Sequence, residues 1–316
     1  MSCWIVVPVH NGLRWLPGLV DSIEAQTSAP ESVLFVDDGS TDGSGDWLTE
    51  RGWTVLRRPA ASGFAKAANA GLEHALDAGA GSVGLINMDV ELDADWIART
   101  VAALDQDPSV GSVACKMVRL DRPELIDDAG NTLRRDGVCE QRGHLHLDTG
   151  QFDHEQDIWG ACAGAALYRA DTLRSVGLFD ERLQMYLEDV DLALRMQLAG
   201  WRCRYVPAIA RHAGGGSGAG ATRMVARNTL LLVARWYPLR WIGPVAYRQV
   251  SWLVAAARGR KLIAHLRGLA AGTARIPGAL RARLAAGGVS RSAIEAAVPD
   301  RPWRGPAAGG HEEAGE

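Results

Sequence analysis

The sequence predicts an α/β fold with a mostly parallel, Rossmann-like sheet flanked by helices, and three observations carry that expectation. Short β-branched runs, Trp4 to Val9 and Val33 to Asp37, flank a stretch from Leu16 to Gln26 with helical spacing, which makes a βαβ unit. The alternation then repeats, with a short helix from Asp46 to Arg51, a strand from Thr54 to Leu56, a helix from Gly63 to Ala78 and a buried strand from Val83 to Asn87. Two acidic clusters, Asp37-Asp38 and Asp89-Val90-Glu91, fall where strands end, which is the edge at which ligands bind in open α/β sheets.

Composition bounds the rest. At 316 residues and 47% apolar content, the chain can bury a sizeable core as one domain with appendages. No charged leader precedes the first apolar run and no small-residue cleavage site follows it, so this run is expected to be a strand and not a signal peptide. Five scattered cysteines, odd in number and without a C-x-x-C pair, argue against a disulfide framework or a zinc site and for reduced, mostly buried thiols in the cytosol. The net charge is only -3, yet no Asp or Glu lies between Asp191 and Glu295, where 17 of the 34 Lys and Arg residues fall. A basic half of this kind suits either nucleic acid or an anionic membrane surface.

Further along, Val110 to Val118 opens a second βα stretch, and a polar segment from Arg119 to Asp157 is expected to form loops. A helix should begin near Glu188 and end at Gly200, followed by a strand over WRCRYVP and the glycine-rich loop HAGGGSGAG. These features place a catalytic domain at residues 1–215. From Thr222 to Arg291 the chain is helical, Arg-rich and apolar in turn, and no stretch has the roughly 20 uncharged apolar residues of a membrane span. Residues 216–295 are therefore expected to form a basic helical extension that lies on a membrane, with Trp236, Trp241 and Trp252 at the interface. The Pro-, Gly- and Glu-rich residues 296–316 should be a disordered tail.

Several polar tracts stand where chemistry is expected. The Asp37-Asp38 tract supports two readings: D-D-G-S-T-D is good Asx-turn chemistry, and a carboxylate there can also accept from a pyrimidine N–H or a ribose hydroxyl. Gly63 opens a helix whose free N–H groups could face an anion, although an ordinary loop-to-helix junction has the same pattern. Glu188 and Asp189 sit in a first helical turn, where acids favour the dipole and where a carboxylate can also serve as a general base. His212, before the glycine-rich loop, is either polar surface or a nitrogen donor for a metal or diphosphate.

Taken in order, VVPVHNG, VDDGSTDGS, GFAKAANAGL, INMDVEL, GLFDERLQMYLEDVDLALR and HAGGGS resemble the inverting family 2 glycosyltransferases of GT-A fold, and within them the rhamnosyltransferase-like branch, over about residues 4–238. The resemblance implies nucleotide contact by Pro8, Asn11, Asp37 and Asp38, with Gly63, Lys66 and Asn69 beside the donor. Asn87-Met88-Asp89 stands where similar enzymes carry a D-x-D metal motif, which implies that Asn87 lies on the donor side and that Asp89, helped by His212, holds a divalent metal, Mg2+ or Mn2+, against the leaving diphosphate. It further implies that Asp189, paired with Glu188, removes the proton of the attacking hydroxyl, with Asp191 supporting the helix. The expected partners are a nucleotide-diphosphate sugar, of rhamnose or another hexose, and a saccharide acceptor.

The Arg residues of the basic half alternate with long Leu, Val, Ala and Trp runs and match no nucleic-acid module. An anionic membrane surface is thus expected and nucleic acid is not, which points to a lipid-linked saccharide acceptor and a peripheral, cytoplasmic position at the inner membrane face. His144, His146 and His154 are expected to be loop residues. Two other classes compete. A sugar nucleotidyltransferase would carry a glycine-rich basic loop after its first strand, where this chain has PVHNGLRWLPG, and a nucleic-acid-binding protein would rest on the basic half alone.

Overall fold

The computed structural model describes residues 1–214, 218–285 and 290–300. β1 (Cys3–Val9) leads into α1 (Leu16–Glu24), and β2 (Ser32–Asp38), α2 (Ser44–Glu50), β3 (Thr54–Arg58), α3 (Phe64–Asp77) and β4 (Ser82–Ile86) follow. β1 pairs parallel with both β2 and β4, and β2 with β3, so the parallel ladder expected from the alternation runs β3-β2-β1-β4. Strands buried on both faces need apolar side chains pointing both ways. Along β1, Ile5, Val7 and Val9 enter the core layer beneath α1, while Val6 enters the opposite layer beneath α3. The small residues of α3 serve close approach, because a Cβ on Gly71 would stand 2.4 Å from Val6 Cγ1.

The second half begins with β5 (Val90–Leu92), α4 (Trp96–Gln106) and β6 (Val110–Arg119). Next come four short strands, β7 (Ile126–Asp128), β8 (Asn131–Leu133), β9 (Cys139–Gln141) and β10 (Gln156–Ile158), then β11 (Ala165–Arg169), α5 (Ala170–Val176), α6 (Glu188–Leu198) and β12 (Arg202–His212). β11 runs antiparallel between β4 and β6, and β12 lies parallel to β6, giving the order β10-β12-β6-β11-β4-β1-β2-β3. β8 and β9 form a separate ribbon. The polar segment expected as loops thus contains short strands. β12 runs past Pro207 to His212, because Ala210 to His212 pair with β5 on one side while β6 continues on the other.

The remaining helices are α7 (Ala219–Trp236), α8 (Ile242–Arg258), α9 (Leu262–Thr273), α10 (Ile276–Ala285) and α11 (Arg291–Ala297), with one helical turn at Leu239–Trp241 before α8. They pack on the sheet domain. Leu231, Leu232, Trp236, Tyr237 and Trp241 share a core with Leu133, Leu183, Val190 and Leu194. Asp191, fully buried, fastens this contact by accepting from Arg195 Nε at 2.8 Å and Trp236 Nε1 at 2.7 Å, with Arg235 Nη1 at 3.2 Å. The expectation that Trp236 and Trp241 face a membrane is therefore corrected. Both are buried against the sheet domain, and only Trp252 stays half-exposed. The tail expected from residue 296 is corrected at its start, since α11 runs to Ala297 and Val298 is fully buried, while residues 301–316 lie outside the described residues. Among the described residues, no helix is long and apolar enough to cross a membrane. All five cysteines are free thiols, and Cys3, Cys115 and Cys203 are buried.

Candidate active site

The carboxyl ends of β1, β2, β4 and β12, with the start of α6, meet at one edge of the sheet. On the β1–β2 side the polar groups are tied to each other. Asn11, with a φ of +52°, accepts from Thr41 N at 2.8 Å and donates its own backbone N–H to Ser40 Oγ at 3.0 Å. His10 Nδ1 lies 2.9 Å from Asp38 O. Pro8 is held within β1, opposite Val36. Asp37 Oδ1 accepts from Ser40 N at 2.9 Å, and the Asx turn that the tract also allowed is made by Asp42, whose Oδ1 accepts from Ser44 N at 3.0 Å.

Asp38 is the anchor of this side. Its Oδ1 accepts from Arg58 Nε at 3.0 Å and Ser62 Oγ at 2.6 Å, and its Oδ2 from Ser62 N at 2.8 Å and Gly63 N at 2.9 Å. Burial opposes the charge, but these hydrogen bonds outweigh it and hold the carboxyl below the usual carboxylate range. Gly63, at a φ of +97°, caps α3, and Ala65 N, in the first turn, donates to Gln184 O at 2.8 Å. The helix start thus binds protein acceptors at Gly63 and Ala65. Asn69 is corrected in the same way: its amide donates to Phe179 O at 2.9 Å and accepts from Phe179 N at 3.0 Å, so it fixes the 179–187 loop in place of touching a donor. Lys66 is exposed and lines a cleft with Gln184 and Arg227.

Across the edge, Asn87 N donates to Gly164 O at 2.8 Å, and Met88 fills the space under Gly12, where a Cβ would come within 2.5 Å of its sulfur. Asp89 faces His212, with Nε2 to Oδ2 at 3.5 Å, and both side chains are about one-fifth exposed. The other ring nitrogen, Nδ1, lies 2.7 Å from Asp127 Oδ2. Burial disfavours the imidazolium, yet the hydrogen bonds to Asp127 and Asp89 prevail and raise His212 to about 9. Asp127 was not singled out from the sequence. It lies in a three-residue strand within the polar segment, and the only signal was the Asp-Asp pair set between Ile126 and Ala129. His144 Nδ1 reaches the backbone oxygen of the same residue at 2.8 Å.

Among the described residues, no three His, Cys, Asp or Glu side chains form a metal cage. The donor set nonetheless fits a divalent ion that a diphosphate helps to hold. Asp89 offers an oxygen, and His212 would offer Nε2 once an ion displaces its proton, with Asp127 on Nδ1 holding the ring in place, an arrangement general to metal-bound histidines.

Asp189 stands at the start of α6. Its Oδ2 accepts from Asn131 Nδ2 at 3.0 Å and Ala163 N at 3.3 Å, and its Oδ1 from Val190 N at 2.8 Å. Burial pushes this carboxyl up, and the three donors only partly offset it. Glu188 is pushed up by burial and then by the Asp189 charge, and its Oε2 is buried with no partner. Between the two, Glu188 takes the proton and Asp189 keeps the charge, since only Asp189 has donors to stabilise an anion. Asn131 Oδ1 and Asn87 Oδ1 are likewise buried without a donor. Asp128, beside this group, is raised to about 7 by burial, with the charges of Asp127 and Asp189 adding to it.

A sheet of this order, with acidic strand ends and a carboxylate-led helix facing them, is the GT-A type of glycosyltransferase fold. The model of glycosyl transferase family 2 matches residues 4–177, more than half of the chain, and the protein belongs to that family and is a glycosyltransferase. It is 28% identical over 302 residues to an N-acetylglucosaminyl-diphospho-decaprenol L-rhamnosyltransferase of Mycobacterium tuberculosis, covering 82% of this chain and 96% of that protein. It is also 28% identical to an undecaprenyl-phosphate mannosyltransferase of Micrococcus luteus, over 77% of this chain and 97% of that one. Among solved structures, the mannosyltransferase PcManGT of Pyrobaculum calidifontis with GDP-Man and Mn2+ has a TM-score of 0.54 at 18% identity, over 94% of this chain and 85% of that chain. GalNAc-T7 with UDP, GalNAc and Mn2+ has a TM-score of 0.60 at 16% identity, over 76% of this chain and 48% of that one.

Proposed function

We propose that the protein moves a hexose, with rhamnose favoured by its relatives, from a nucleoside-diphosphate donor to a hydroxyl of a lipid-linked saccharide, inverting the anomeric centre in a single displacement. The observation that carries this reading is the Asp189 carboxylate, half-buried, raised and held by Asn131, Ala163 and Val190, together with unpartnered polar atoms on Asn87, Asn131 and Glu188. A sugar is the ligand that supplies many hydroxyl donors to such acceptors at once. Asp189 takes the proton of the attacking hydroxyl, while neutral Glu188 adds no second charge beside it. Pro8, Asn11, Asp37 and Asp38 build the nucleotide side, where the tied loops offer a preformed wall. Asp89 and His212 would hold Mg2+ or Mn2+, which, when bound, neutralises charge on the leaving diphosphate.

The lipid-linked acceptor rests on the names of the relatives and on the helical extension. Along α8, Tyr247, Val250 and Val254 share one face and are exposed, as are Ile263 and Leu266 on α9, in a region whose charged groups are almost all basic. Such a surface suits peripheral attachment to an anionic membrane at its cytoplasmic side. The test is thermal stabilisation of the purified protein by a panel of nucleoside-diphosphate sugars, each with and without Mg2+ or Mn2+. A metal-dependent shift with one of them is expected. Stabilisation by nucleoside triphosphates alone would overturn the transfer reading in favour of a nucleotidyltransferase.

A further inference from the structure

A cleft of about 650 Å³ opens between the 180–184 loop, α7 and the start of α10, and Lys66, expected from the sequence beside the donor, lies on its rim. The cleft and the catalytic edge lie on different sides of α6: Asp189 is bound by Asn131 and Ala163, whereas Asp191, which lines the cleft, is bound by Trp236 and Arg235 of α7. Six cationic side chains line the cleft, Lys66, Arg182, Arg227, Arg235, Arg275 and Arg281, against three acids. The acids are already engaged. Asp180 pairs with Arg182 and Arg235, Asp191 with Arg195 and Arg235, and Glu181 lies 3.4 Å from Asn69 Nδ2. Among the described residues, Lys66, Arg227, Arg275 and Arg281 have no acidic partner, and three of these four are exposed at the mouth.

Arg227 is the fourth and is buried, with only 5% of its surface exposed. It is held solely by neutral acceptors, Gln184 Oε1 at 2.6 Å, Leu183 O, Arg182 O and Asn228 Oδ1 at 2.8 Å. Burial, then repulsion from Arg275 and Arg223, lowers its hold on the proton. A guanidinium in this position without a counter-charge is costly, and no side chain of the described residues supplies one. Cationic groups without acidic partners, set around a buried guanidinium, suit an oxyanion with more than one charge better than a single carboxylate.

We infer that this cleft is a binding site for a phosphate group, a phosphomonoester or a diphosphate, distinct from the donor site. Two sources carry that chemistry: a membrane lipid and a soluble phosphate. Leu280 and Leu284, on either side of Arg281 along α10, are exposed, so a phosphate borne on a lipid could bring its apolar part against them. The inference does not depend on which sugar or nucleotide the catalytic edge takes.

The test is calorimetric titration of the full-length chain with inorganic pyrophosphate in EDTA, together with flotation on vesicles containing phosphatidylglycerol. Arg275→Gln with Arg281→Gln is compared with the wild type and with Asp89→Asn, both arginines being exposed and remote from the core, so that folding, checked by melting, is kept. The expected result is pyrophosphate binding that weakens at least about tenfold in the arginine variant and is unchanged in Asp89→Asn. Flotation that pyrophosphate competes away would identify a lipid source, and pyrophosphate binding without flotation a soluble one, and either supports the site. Equal binding by wild type and arginine variant, or no binding, overturns it. Binding lost in Asp89→Asn instead would assign the anion to the catalytic edge, which leaves the transfer reading standing and removes this one.

Discussion

The two sides of the catalytic edge treat their polar groups in opposite ways. On the β1–β2 side, the four acceptor positions of Asp38 are filled by Arg58, Ser62 and Gly63, and Asn11 and Asn69 are equally committed to neighbouring loops. On the side built from β4, β8 and α6, Asn87 Oδ1, Asn131 Oδ1 and Glu188 Oε2 are buried without donors. Polar atoms left unsatisfied in a fold need a compensating partner, and in the proposed function substrate hydroxyls would supply it. The β1–β2 side is thus satisfied by the protein alone, while the side built from β4, β8 and α6 keeps buried polar atoms without partners.

If that contrast holds, substitutions on the first side should act on stability and those on the second on catalysis. The largest stability effect is expected for Asp38→Ala, which strands the Arg58 charge and the Ser62 and Gly63 donors. Unfolding in denaturant should show a loss of about 3–5 kcal/mol, and a loss below about 1 kcal/mol would mean that the loop is not anchored by this carboxylate. Asp127→Asn comes next. With its Nδ1 partner weakened, His212 should bind Mn2+ about 10- to 100-fold less tightly in the presence of nucleotide, as read by titration, at nearly unchanged fold stability. Unaltered Mn2+ affinity would reduce Asp127 to a structural partner.

A smaller effect concerns Asp128. Its pKa rises from 3.8 in the unfolded chain to about 7 in the fold, so between these values the folded protein holds a proton that the unfolded chain has lost. The stability that goes with this proton is present at low pH and disappears as pH rises to about 7. Relative to Asp128→Asn, the wild type should therefore lose stability across that window, and parallel curves for the two proteins would contradict the assignment.

Much of the candidate site was legible where local patterns specify it. Strand ends punctuated by acids, Gly63 before an alanine-rich helix, and the Glu188-Asp189 start of α6 are each readable within one short segment. Asp127 and Asn131 were not, since they lie on three-residue strands too short for any alternation to show, and their side-chain partners His212 and Asp189 are 85 and 58 residues away. Asn69 was misplaced for a related reason. Its position in the tract is local, but its partner Phe179 is 110 residues away. Trp236 and Trp241 illustrate a further limit, because an apolar helical face reads alike whether it meets lipid or, as here, the rest of the protein.

The most direct test compares Asp189→Asn with Glu188→Gln, measuring sugar transfer and nucleotide-sugar binding on the same preparations. Asp189→Asn is expected to lower kcat by about 10²- to 10⁴-fold with donor binding unchanged, while Glu188→Gln, a neutral copy of a protonated acid, stays within about tenfold of the wild type. Near-normal turnover in Asp189→Asn would contradict Asp189 as the base.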